Sequence, residues 1–350
     1  MTRETTDWSQ QRVLLVGGAG FIGHHLAMRL KESGADVTIY DSLQVNNYGY
    51  LNSVYNSAPN APLYVEFINQ RLGHLHAMNI KLLVGDARDY HAVSRAVSEL
   101  QPTAIVHLAA VAHANRSNKD PFSTFDHSLR TLENVLDASR GTNARFVYLS
   151  SSMVYGDFHG RAAHEDQHCS PLGIYGSLKL AGELMVKSYN QVFGSEYVII
   201  RPSALYGERC VSRRVGQAFI ESALTAGVLT VNGDGSDALD FTYIDDVVSG
   251  LLLAIIEPKA AGEIFNLTFG AARSIEELAD IVRSYFPSVK LVHQPKDVLM
   301  PERGTLSIEK ARSLLGYKPD FPIERGFARY VEWYKSLEVS ELLKLTSHKT

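Results

Sequence analysis

Tyr175 and Lys179 lie four residues apart in the stretch GIYGSLKLAGE (173–183), which is typical of an amphipathic helix. Residues at positions i and i+4 of a helix present neighbouring side chains on one face. An ammonium group beside a phenol favours the phenolate and would lower the tyrosine pKa from about 10 towards neutrality. Tyr175 would then be able to transfer a proton at physiological pH. The same spacing also occurs in ordinary solvated surface pairs, so the rest of the chain has to decide between the two interpretations.

The elements that would position this pair follow a regular alternation. Short apolar runs predict strands at 13–16, 37–40, 81–84, 104–108, 146–150 and 197–201. Nearly continuous apolar runs are typical of parallel strands covered by helices on both faces. Helical patterns occur between them, near 21–33, 90–100, 121–140 and 172–193. This alternation predicts an α/β fold with a Rossmann-type, doubly wound parallel sheet.

After residue 202 the alternation loosens, and helices are expected near 213–226, 245–256, 274–286 and 322–337 among short strands. We predict a Rossmann-type domain over 12–202 and a smaller mixed α/β lobe over 203–337, with some exchange of elements between them. Residues 1–11 and 338–350 are expected to be tails. The segment 44–79 is a long insert, and connections of that length usually carry function or their own small structure. It could cover the substrate or be a surface elaboration.

Composition limits the class of protein. The chain has 350 residues, 45% of them hydrophobic, with a formal net charge of −4, which predicts a soluble globular protein and no nucleic-acid partner. Its two cysteines, Cys169 and Cys210, are far apart and outside metal-ligand spacing, which fits a reducing cytoplasm. No secretory signal, membrane span or metal site is predicted.

The sequence VLLVGGAGFIG (13–23) joins a predicted strand to a predicted helix through a glycine-rich turn. Glycines at this spacing let the backbone approach a pyrophosphate, which lies at the positive end of the following helix. Asp41 ends the second strand, where a carboxylate binds the adenosine ribose hydroxyls and repels a 2′-phosphate. This favours NAD over NADP. Asp86, after the third strand, would bind the adenine amine or cap the helix that starts near Tyr90.

Several motifs occur in one order: the glycine turn, HLAA (107–110), SSSMVYG (150–156), the Tyr175/Lys179 pair, RPSALYG (201–207), TVNGDGSDALDFTYIDDV (230–247) and SIEKARSLLGYKP (307–319). Together they resemble the extended short-chain dehydrogenase/reductase (SDR) superfamily, over residues 12 to 337. Within it, they resemble the NAD-dependent nucleotide-sugar epimerase/dehydratase family and its UDP-glucose 4-epimerase-like members.

The resemblance implies a catalytic triad of Ser151, Tyr175 and Lys179 beside the nicotinamide. Tyr175 would take a proton from a sugar hydroxyl as hydride leaves for NAD. Lys179 would lower the tyrosine pKa and bind the nicotinamide ribose, and Ser151 would orient the sugar oxygen. Implied cofactor contacts are Gly17, Gly20, Phe21, Ile22, Gly23, Asp41, Asp86, Ala87, Leu108, Ala109, Ala110, Tyr175, Lys179 and Pro202.

The residues after Ser151 bear on the reaction. Dehydratases of the family carry an acid pair where this chain has Ser152 and Met153, and neither side chain exchanges a proton usefully at neutral pH. The glutamate of the related decarboxylases is also absent from this stretch. We therefore predict an isomerase of carbohydrate metabolism that inverts C4 of a nucleotide sugar through a transient 4-keto sugar, using retained NAD. The alternatives are an NAD(H)-dependent keto-sugar reductase or sugar dehydrogenase, and a non-catalytic dinucleotide-binding protein.

The resemblance also suggests substrate contacts from Ser152, Met153, His113, Arg213 and Arg303, and a homodimer through the helices near 121–140 and 172–193. Two positions depart from the family pattern. Ala204 replaces an asparagine that contacts substrate, and Leu239 replaces an arginine that grips a diphosphate. Either an arginine among 209, 213, 214 and 303 takes over that grip, or the substrate is not an ordinary nucleotide diphosphate sugar.

Overall fold

The computed structural model describes residues 7–44, 60–111, 114–295, 301–337 and 339. The strands, in chain order, are β1 (Arg12–Val16), β2 (Asp36–Asp41), β3 (Lys81–Val84), β4 (Ala104–His107), β5 (Arg145–Leu149), β6 (Tyr197–Pro202), β7 (Leu205–Tyr206), β8 (Val228–Asn232), β9 (Ala238–Leu239), β10 (Thr242–Tyr243), β11 (Glu263–Leu267), β12 (Arg273–Ser274) and β13 (Lys290–Gln294).

The helices are α1 (Phe21–Glu32), α2 (Ala61–Ala77), α3 (Tyr90–Leu100), α4 (Ala114–Lys119), α5 (Pro121–Phe125), α6 (Thr131–Ser139), α7 (Gly173–Phe193), α8 (Val215–Thr225), α9 (Ile244–Ile256), α10 (Ile275–Tyr285), α11 (Glu309–Leu315) and α12 (Ile323–Ser336). Short 3-10 turns cover Trp8–Gln10, Ser152–Tyr155 and Pro258–Ala260. Among the described residues, no helix combines the length and the apolar character that a bilayer crossing needs.

Seven strands form one parallel sheet in the order β11-β6-β5-β4-β1-β2-β3. The order from β6 to β3 is that of the doubly wound dinucleotide-binding fold. The predicted α/β Rossmann-type fold is therefore confirmed. The six predicted strands are present within a residue or two. The seventh, β11, was not predicted and brings residues beyond 202 into the same sheet, where it pairs with β6.

Two apolar layers cover the sheet because successive side chains of a strand point to opposite faces. Val13 and Leu15 of β1 pack into one core, and Leu14 and Val16 pack into the other. Residues buried on both faces explain why the strands appear in the sequence as continuous apolar runs. Since all seven strands run in parallel, the loops after β1, β2, β4, β5 and β6 emerge at one edge of the sheet.

The observed helices differ from the predicted ones in two ways: one predicted helix is interrupted, and three helices were not predicted. The helix expected at 121–140 consists of α5, a π-helical turn at Asp126–Arg130, and α6. The helices α2, α4 and α11 were not predicted at all. Of these, α2 occupies the second half of the insert 44–79, while residues 45–59 lie outside the described ranges.

Candidate active site

The glycine turn after β1 is tightly packed. Gly17 has a left-handed φ of +79°, and a Cβ there would lie 2.6 Å from the backbone nitrogen of Ala109, at the end of β4. A Cβ on Gly23 would lie 2.4 Å from the Gly18 carbonyl oxygen, so α1 also needs a glycine to approach the turn. Any larger residue at either position would force these elements apart.

The first turn of α1 is open to an anion. Gly20 is its N-cap and supplies no side-chain acceptor, so the N–H groups of Phe21, Ile22 and Gly23 have no capping side chain. A Cβ on Gly20 would meet only the Gly17 carbonyl oxygen, at 3.3 Å. A helix N-terminus with this open approach fits the pyrophosphate of a dinucleotide.

Asp41 ends β2 beside this turn and is buried. One carboxylate oxygen accepts from the Ala19 N–H at 3.0 Å and the other from the Leu43 N–H at 2.7 Å. Burial raises the pKa of Asp41, and the two N–H donors partly offset that effect. A carboxylate has about four lone-pair sites, so two remain for the hydroxyls of an adenosine ribose. The residues present therefore fit NAD.

Asp86 does not cap the helix that starts at Tyr90, which was one of its two predicted roles. The N-cap of α3 is Asp89, whose side chain accepts from the Ala92 N–H at 3.1 Å, so the cap interpretation of Asp86 is wrong. Asp86 instead pairs with Arg88, with 2.6 Å between the guanidinium and carboxylate. The Arg88 hydrogen bonds lower the pKa of Asp86. Contact between Asp86 and an adenine stays a prediction.

The other predicted cofactor residues lie at the same edge of the sheet. Leu108, Ala109 and Ala110 follow β4, and the Leu108 N–H donates to the Val16 carbonyl at 2.8 Å. The Ala87 carbonyl accepts from the Asn134 amide at 3.0 Å, and Pro202 ends β6. The structure thus places the ends of β2 and β4 against the glycine turn, since the Gly17 N–H donates to the Tyr40 carbonyl and Gly17 packs on Ala109.

Lys179 is held inside the fold. Lys179 is only 6% exposed. Its Nζ donates to the Leu149 carbonyl at 2.6 Å and lies 5.1 Å from the centre of the Tyr148 ring. Burial lowers the pKa of Lys179 from 10.5 to about 8, although the nearby carboxylate of Glu183 opposes this. The surface-pair interpretation is therefore wrong for Lys179, whereas Tyr175, one turn earlier, is half-buried.

Ser151 is the second residue after β5, and it caps the turn Ser152–Tyr155. Its Oγ accepts from the Met153 N–H at 3.2 Å. Since the hydroxyl acts as acceptor in that bond, its own hydrogen stays available to a ligand oxygen. Ser152 is buried and Met153 is half-buried.

Two glycines bring α7 against the end of β5, and sequence reasoning missed them. A Cβ on Gly176 would lie 2.7 Å from the Met153 carbonyl oxygen, and one on Gly182 would lie 2.3 Å from the Tyr148 hydroxyl. Close packing at these points lets Lys179 reach the Leu149 carbonyl and sets the start of α7 beside the turn after Ser151. The signal was present as glycines inside an otherwise helical run.

A buried ion pair lies one turn beyond Lys179, and it was also missed. Glu183 accepts from Arg201 in a fork, at 2.9 Å from Nε and 2.7 Å from a terminal nitrogen. Ser150 donates to the same carboxylate at 2.5 Å. Both partners are almost fully buried, and such a pair persists only with its hydrogen bonds satisfied. Glu183 therefore ties α7 to the ends of β5 and β6.

The predicted substrate residues belong to different parts of the chain and differ in exposure. The side chain of Arg213 is 46% exposed, with Nε 3.8 Å from the Glu221 carboxylate. Arg303 is half-buried, and burial together with the neighbouring Arg214 lowers the pKa of Arg303 to about 10, with Asp237 opposing. His113 lies outside the described residues.

The departures from the family pattern have clear positions in the fold. Ala204 is buried with a left-handed φ of +39°. Leu239 lies in β9, which pairs with β12. Arg209 directs its guanidinium to the histidines of α1 and donates to His24 Nε2 at 3.0 Å. Within the described ranges, no three His, Cys, Asp or Glu side chains come together as metal ligands.

Comparison with known proteins identifies the family. The model of the NAD dependent epimerase/dehydratase family matches residues 13–268. The chain belongs to this family. A putative UDP-glucose 4-epimerase of Methanocaldococcus jannaschii is 31% identical over 93% of this chain and 98% of its own length.

Two solved structures are similar throughout. UDP-glucose 4-epimerase of Thermotoga maritima, solved with UDP-glucose, superposes with a TM-score of 0.81 at 25% identity, covering 94% of this chain and 100% of the other. UDP-glucuronic acid 4-epimerase of Bacillus cereus, in complex with UDP-glucuronic acid and NAD, has a TM-score of 0.81 at 26% identity, covering 93% and 99%. The predicted family, NAD as cofactor, and the enzyme class of NAD-dependent sugar epimerase are confirmed. The individual site residues stay predictions.

Proposed function

We propose that this chain interconverts a UDP-sugar and its C4 epimer with retained NAD. The observation that carries the proposal is the placement of Lys179, which is buried one helical turn after Tyr175 and bonded to the carbonyl of Leu149, two residues before Ser151. A cation there is costly to bury, and a proton-transfer site explains why the fold holds one. The UDP moiety is proposed because it is named for the similar epimerases of Thermotoga maritima and Bacillus cereus.

Each residue of the triad has a distinct task in this proposal. Bound NAD supplies reversible hydride acceptance at the sugar carbon. Tyr175 accepts the proton of the C4 hydroxyl and returns it after the sugar has been re-presented by its other face. The Lys179 ammonium stabilises the phenolate during that transfer. Ser151 donates its free hydroxyl hydrogen to the C4 oxygen and keeps that oxygen directed at Tyr175.

The diphosphate is assigned to arginines other than the one that Leu239 replaces. Arg214 and Arg303 carry like charges close enough to lower the pKa of Arg303, and an anion between them would relieve that repulsion. Arg213 is exposed on the preceding loop and completes a cationic set for two phosphates. In this scheme residues 12–202 bind NAD and residues 203–337 bind most of the substrate.

The test is a proton-NMR time course on UDP-glucose, UDP-N-acetylglucosamine and UDP-glucuronate without added NAD. A new anomeric signal that grows to a stable mixture is expected for one of them, with Tyr175→Phe as the inactive control. Silence across the panel, followed by oxidation of a sugar or reduction of a keto sugar once NAD(H) is supplied, would contradict the proposal. That result would support the dehydrogenase or reductase alternative.

We also propose a homodimer formed by α5 and α7, which contact each other in the monomer. Phe122 of α5 is 85% exposed, and Leu184 and Val192 of α7 are 58% and 71% exposed. Exposed apolar side chains on neighbouring helices are expected at an interface between subunits. Phe122→Glu and Leu184→Glu should dissociate the dimer in sedimentation equilibrium. Val292→Glu, at another exposed apolar residue, is the matched control, and a monomeric wild type would refute the assignment.

The location proposed for the enzyme is the cytoplasm. Cys169 and Cys210 are both free thiols, as a reducing compartment requires. Fractionation of cells that express the full chain tests this, and recovery with the membrane or secreted fraction would contradict it.

A further inference from the structure

The loop after β7 carries three arginines, two of them in an unusual backbone conformation. We call residues 208–214 the arginine loop, since it contains Arg209, Arg213 and Arg214. Arg209 has a φ of +63° and Arg213 a φ of +47°, both in the left-handed region that favours glycine. Non-glycine residues persist in that region only when the surrounding structure holds them there. The loop must therefore be fixed by contacts from other elements.

The first of these contacts comes from the C-terminal half of α2, in the insert. Arg71 is 1% exposed, and its Nε donates to the Arg209 carbonyl at 3.0 Å. A terminal nitrogen of the same guanidinium donates to that carbonyl as well. A buried guanidinium thus holds the peptide group of a residue with a left-handed φ.

The second contact comes from the N-terminal end of α2 and acts through Glu221 of α8. Asn60 and the Tyr64 hydroxyl each donate to one Glu221 oxygen at 2.7 Å. Gln217 donates to the other Glu221 oxygen at 2.7 Å, and its own amide oxygen accepts from the Arg213 N–H at 2.9 Å. The insert therefore supports both ends of the arginine loop. It contacts Arg209 directly, and it reaches Arg213 through the hydrogen bonds of Glu221 and Gln217.

A third contact ties the same loop to the glycine turn. The Arg209 Nε donates to His24 Nε2, and a guanidinium can only donate. His24 is therefore neutral with its hydrogen on Nδ1, which donates to the Gly20 carbonyl at 2.8 Å. Burial lowers the pKa of His24 well below its usual range, in agreement with that state. Because this tie is independent of α2, loss of Arg71 should loosen the loop without releasing it.

We propose that α2 positions the arginine loop for the diphosphate of the substrate, with Arg71 and Tyr64 as positioning residues that do not touch the substrate themselves. The inference rests on the proposed function, because it takes a nucleoside diphosphate as the ligand. It assigns the insert a role in substrate affinity. The role belongs to α2, whose side chains hold the backbone from which Arg213 and Arg214 project.

The test uses the NAD-loaded full chain and UDP as the probe. Arg71→Met removes both donors to Arg209, and the Kd for UDP and the KM for the nucleotide sugar should rise about tenfold, with kcat within about threefold. Arg71→Lys keeps one donor and should restore most of the affinity. Tyr64→Phe removes only a hydroxyl, and we expect the Kd for UDP to rise about threefold.

Arg145→Met is the matched control for the loss of a largely buried arginine, whose side chain is 11% exposed. Arg145 begins β5, at the end of the sheet opposite to the glycine turn. It donates to the carbonyls of Ala254, Ile255 and Glu257 at 2.8 to 3.1 Å. This variant should lower the melting temperature and leave the Kd for UDP unchanged. An Arg71→Met protein with wild-type Kd and KM, or an Arg145→Met protein with the same affinity loss, would overturn the proposal.

Hydrogen exchange separates this inference from the proposed function. Peptides covering 208–214 should exchange faster in Arg71→Met than in wild type, and this measurement needs no substrate. If wild type fails to bind UDP, the proposed function is refuted while the exchange rates still decide whether α2 holds the loop. Unchanged exchange in Arg71→Met would overturn the inference whatever the substrate.

Discussion

Replacement of Lys179 by methionine should stabilise the apoprotein at neutral pH while abolishing turnover. Lys179 lies in the interior, where burial lowers its pKa from 10.5 to about 8. Each pKa unit corresponds to about 1.4 kcal/mol, so keeping the ammonium charged in the fold costs about 3 kcal/mol below pH 8. Methionine is similar in size, uncharged and readily accommodated in a core.

Lys179→Met also removes a hydrogen bond, and this loss offsets part of the gain in the free energy of unfolding. Lys179 donates to the Leu149 carbonyl at 2.6 Å, and leaving that carbonyl without this donor costs about 1–2 kcal/mol. The difference is a net stabilisation of about 1–2 kcal/mol at pH 7. For a chain of this size, that corresponds to a rise of a few degrees in melting temperature.

The pH dependence provides the sharper test. The folded pKa of this lysine lies below its unfolded value, so the burial cost is complete below pH 8 and disappears as the pH rises towards 10.5. The stability difference should therefore shrink between pH 8 and 10 and then reverse, since only the lost hydrogen bond remains.

The assay is thermal denaturation of both proteins at pH 7 and pH 9.5, after removal of bound dinucleotide. NAD has to be removed because a ligand that binds only the native state raises its stability. Lys259→Met, at an exposed lysine, is the control and should change stability little at either pH. A Lys179→Met protein that is less stable than wild type at pH 7, or a difference independent of pH, would refute the reasoning.

Three further substitutions test the site. Tyr175→Phe should lower turnover by several orders of magnitude and leave NAD content unchanged, because it removes only the proton-transfer group; turnover near that of wild type would exclude Tyr175 from the mechanism. Asp41→Ala should weaken the preference for NAD over NADP in reconstitution of the apoenzyme, and unchanged discrimination would assign it to other residues. Gly17→Ala should destabilise the fold by about 1–3 kcal/mol and deplete bound NAD, because of the left-handed φ and the 2.6 Å approach to Ala109. Normal NAD content with an unchanged melting temperature would contradict that packing argument.

The large sheet was predictable because buried parallel strands leave a strong local signal. The exception is β11, EIFNL, a short run with a glutamate at its start and an asparagine inside it. Asn266 is buried because it serves tertiary contacts, accepting from the Tyr155 hydroxyl at 2.7 Å and donating to the Ser307 carbonyl at 3.0 Å. A polar residue that is buried for its distant partners breaks the apolar pattern from which strands are predicted.

The helix α2 also contains a buried polar residue that the sequence pattern does not reveal. Tyr64, Phe67, Ile68 and Leu75 fall on one helical face and are all buried, so the periodic signal was present in the insert. Arg71 lies on that face too, at the spacing where an apolar residue is expected. A buried arginine cannot be recognised from periodicity, because its carbonyl partner on Arg209 is 138 residues away.

The proposed catalytic residues and the residues that contact them therefore differ in how well the sequence reveals them. Ser151, Tyr175, Lys179 and the glycines are marked by fixed spacings, since each chemistry needs its residue type at one place. Glu183 lies four residues after Lys179, yet nothing local indicates that Arg201 and Ser150 donate to its carboxylate in the interior. Its charge opposes the desolvation that lowers the pKa of Lys179. Loss of Glu183 would remove that opposition and favour the neutral amine of Lys179. The protonation of Lys179 thus depends on a tertiary contact that the spacing of the motif itself does not encode.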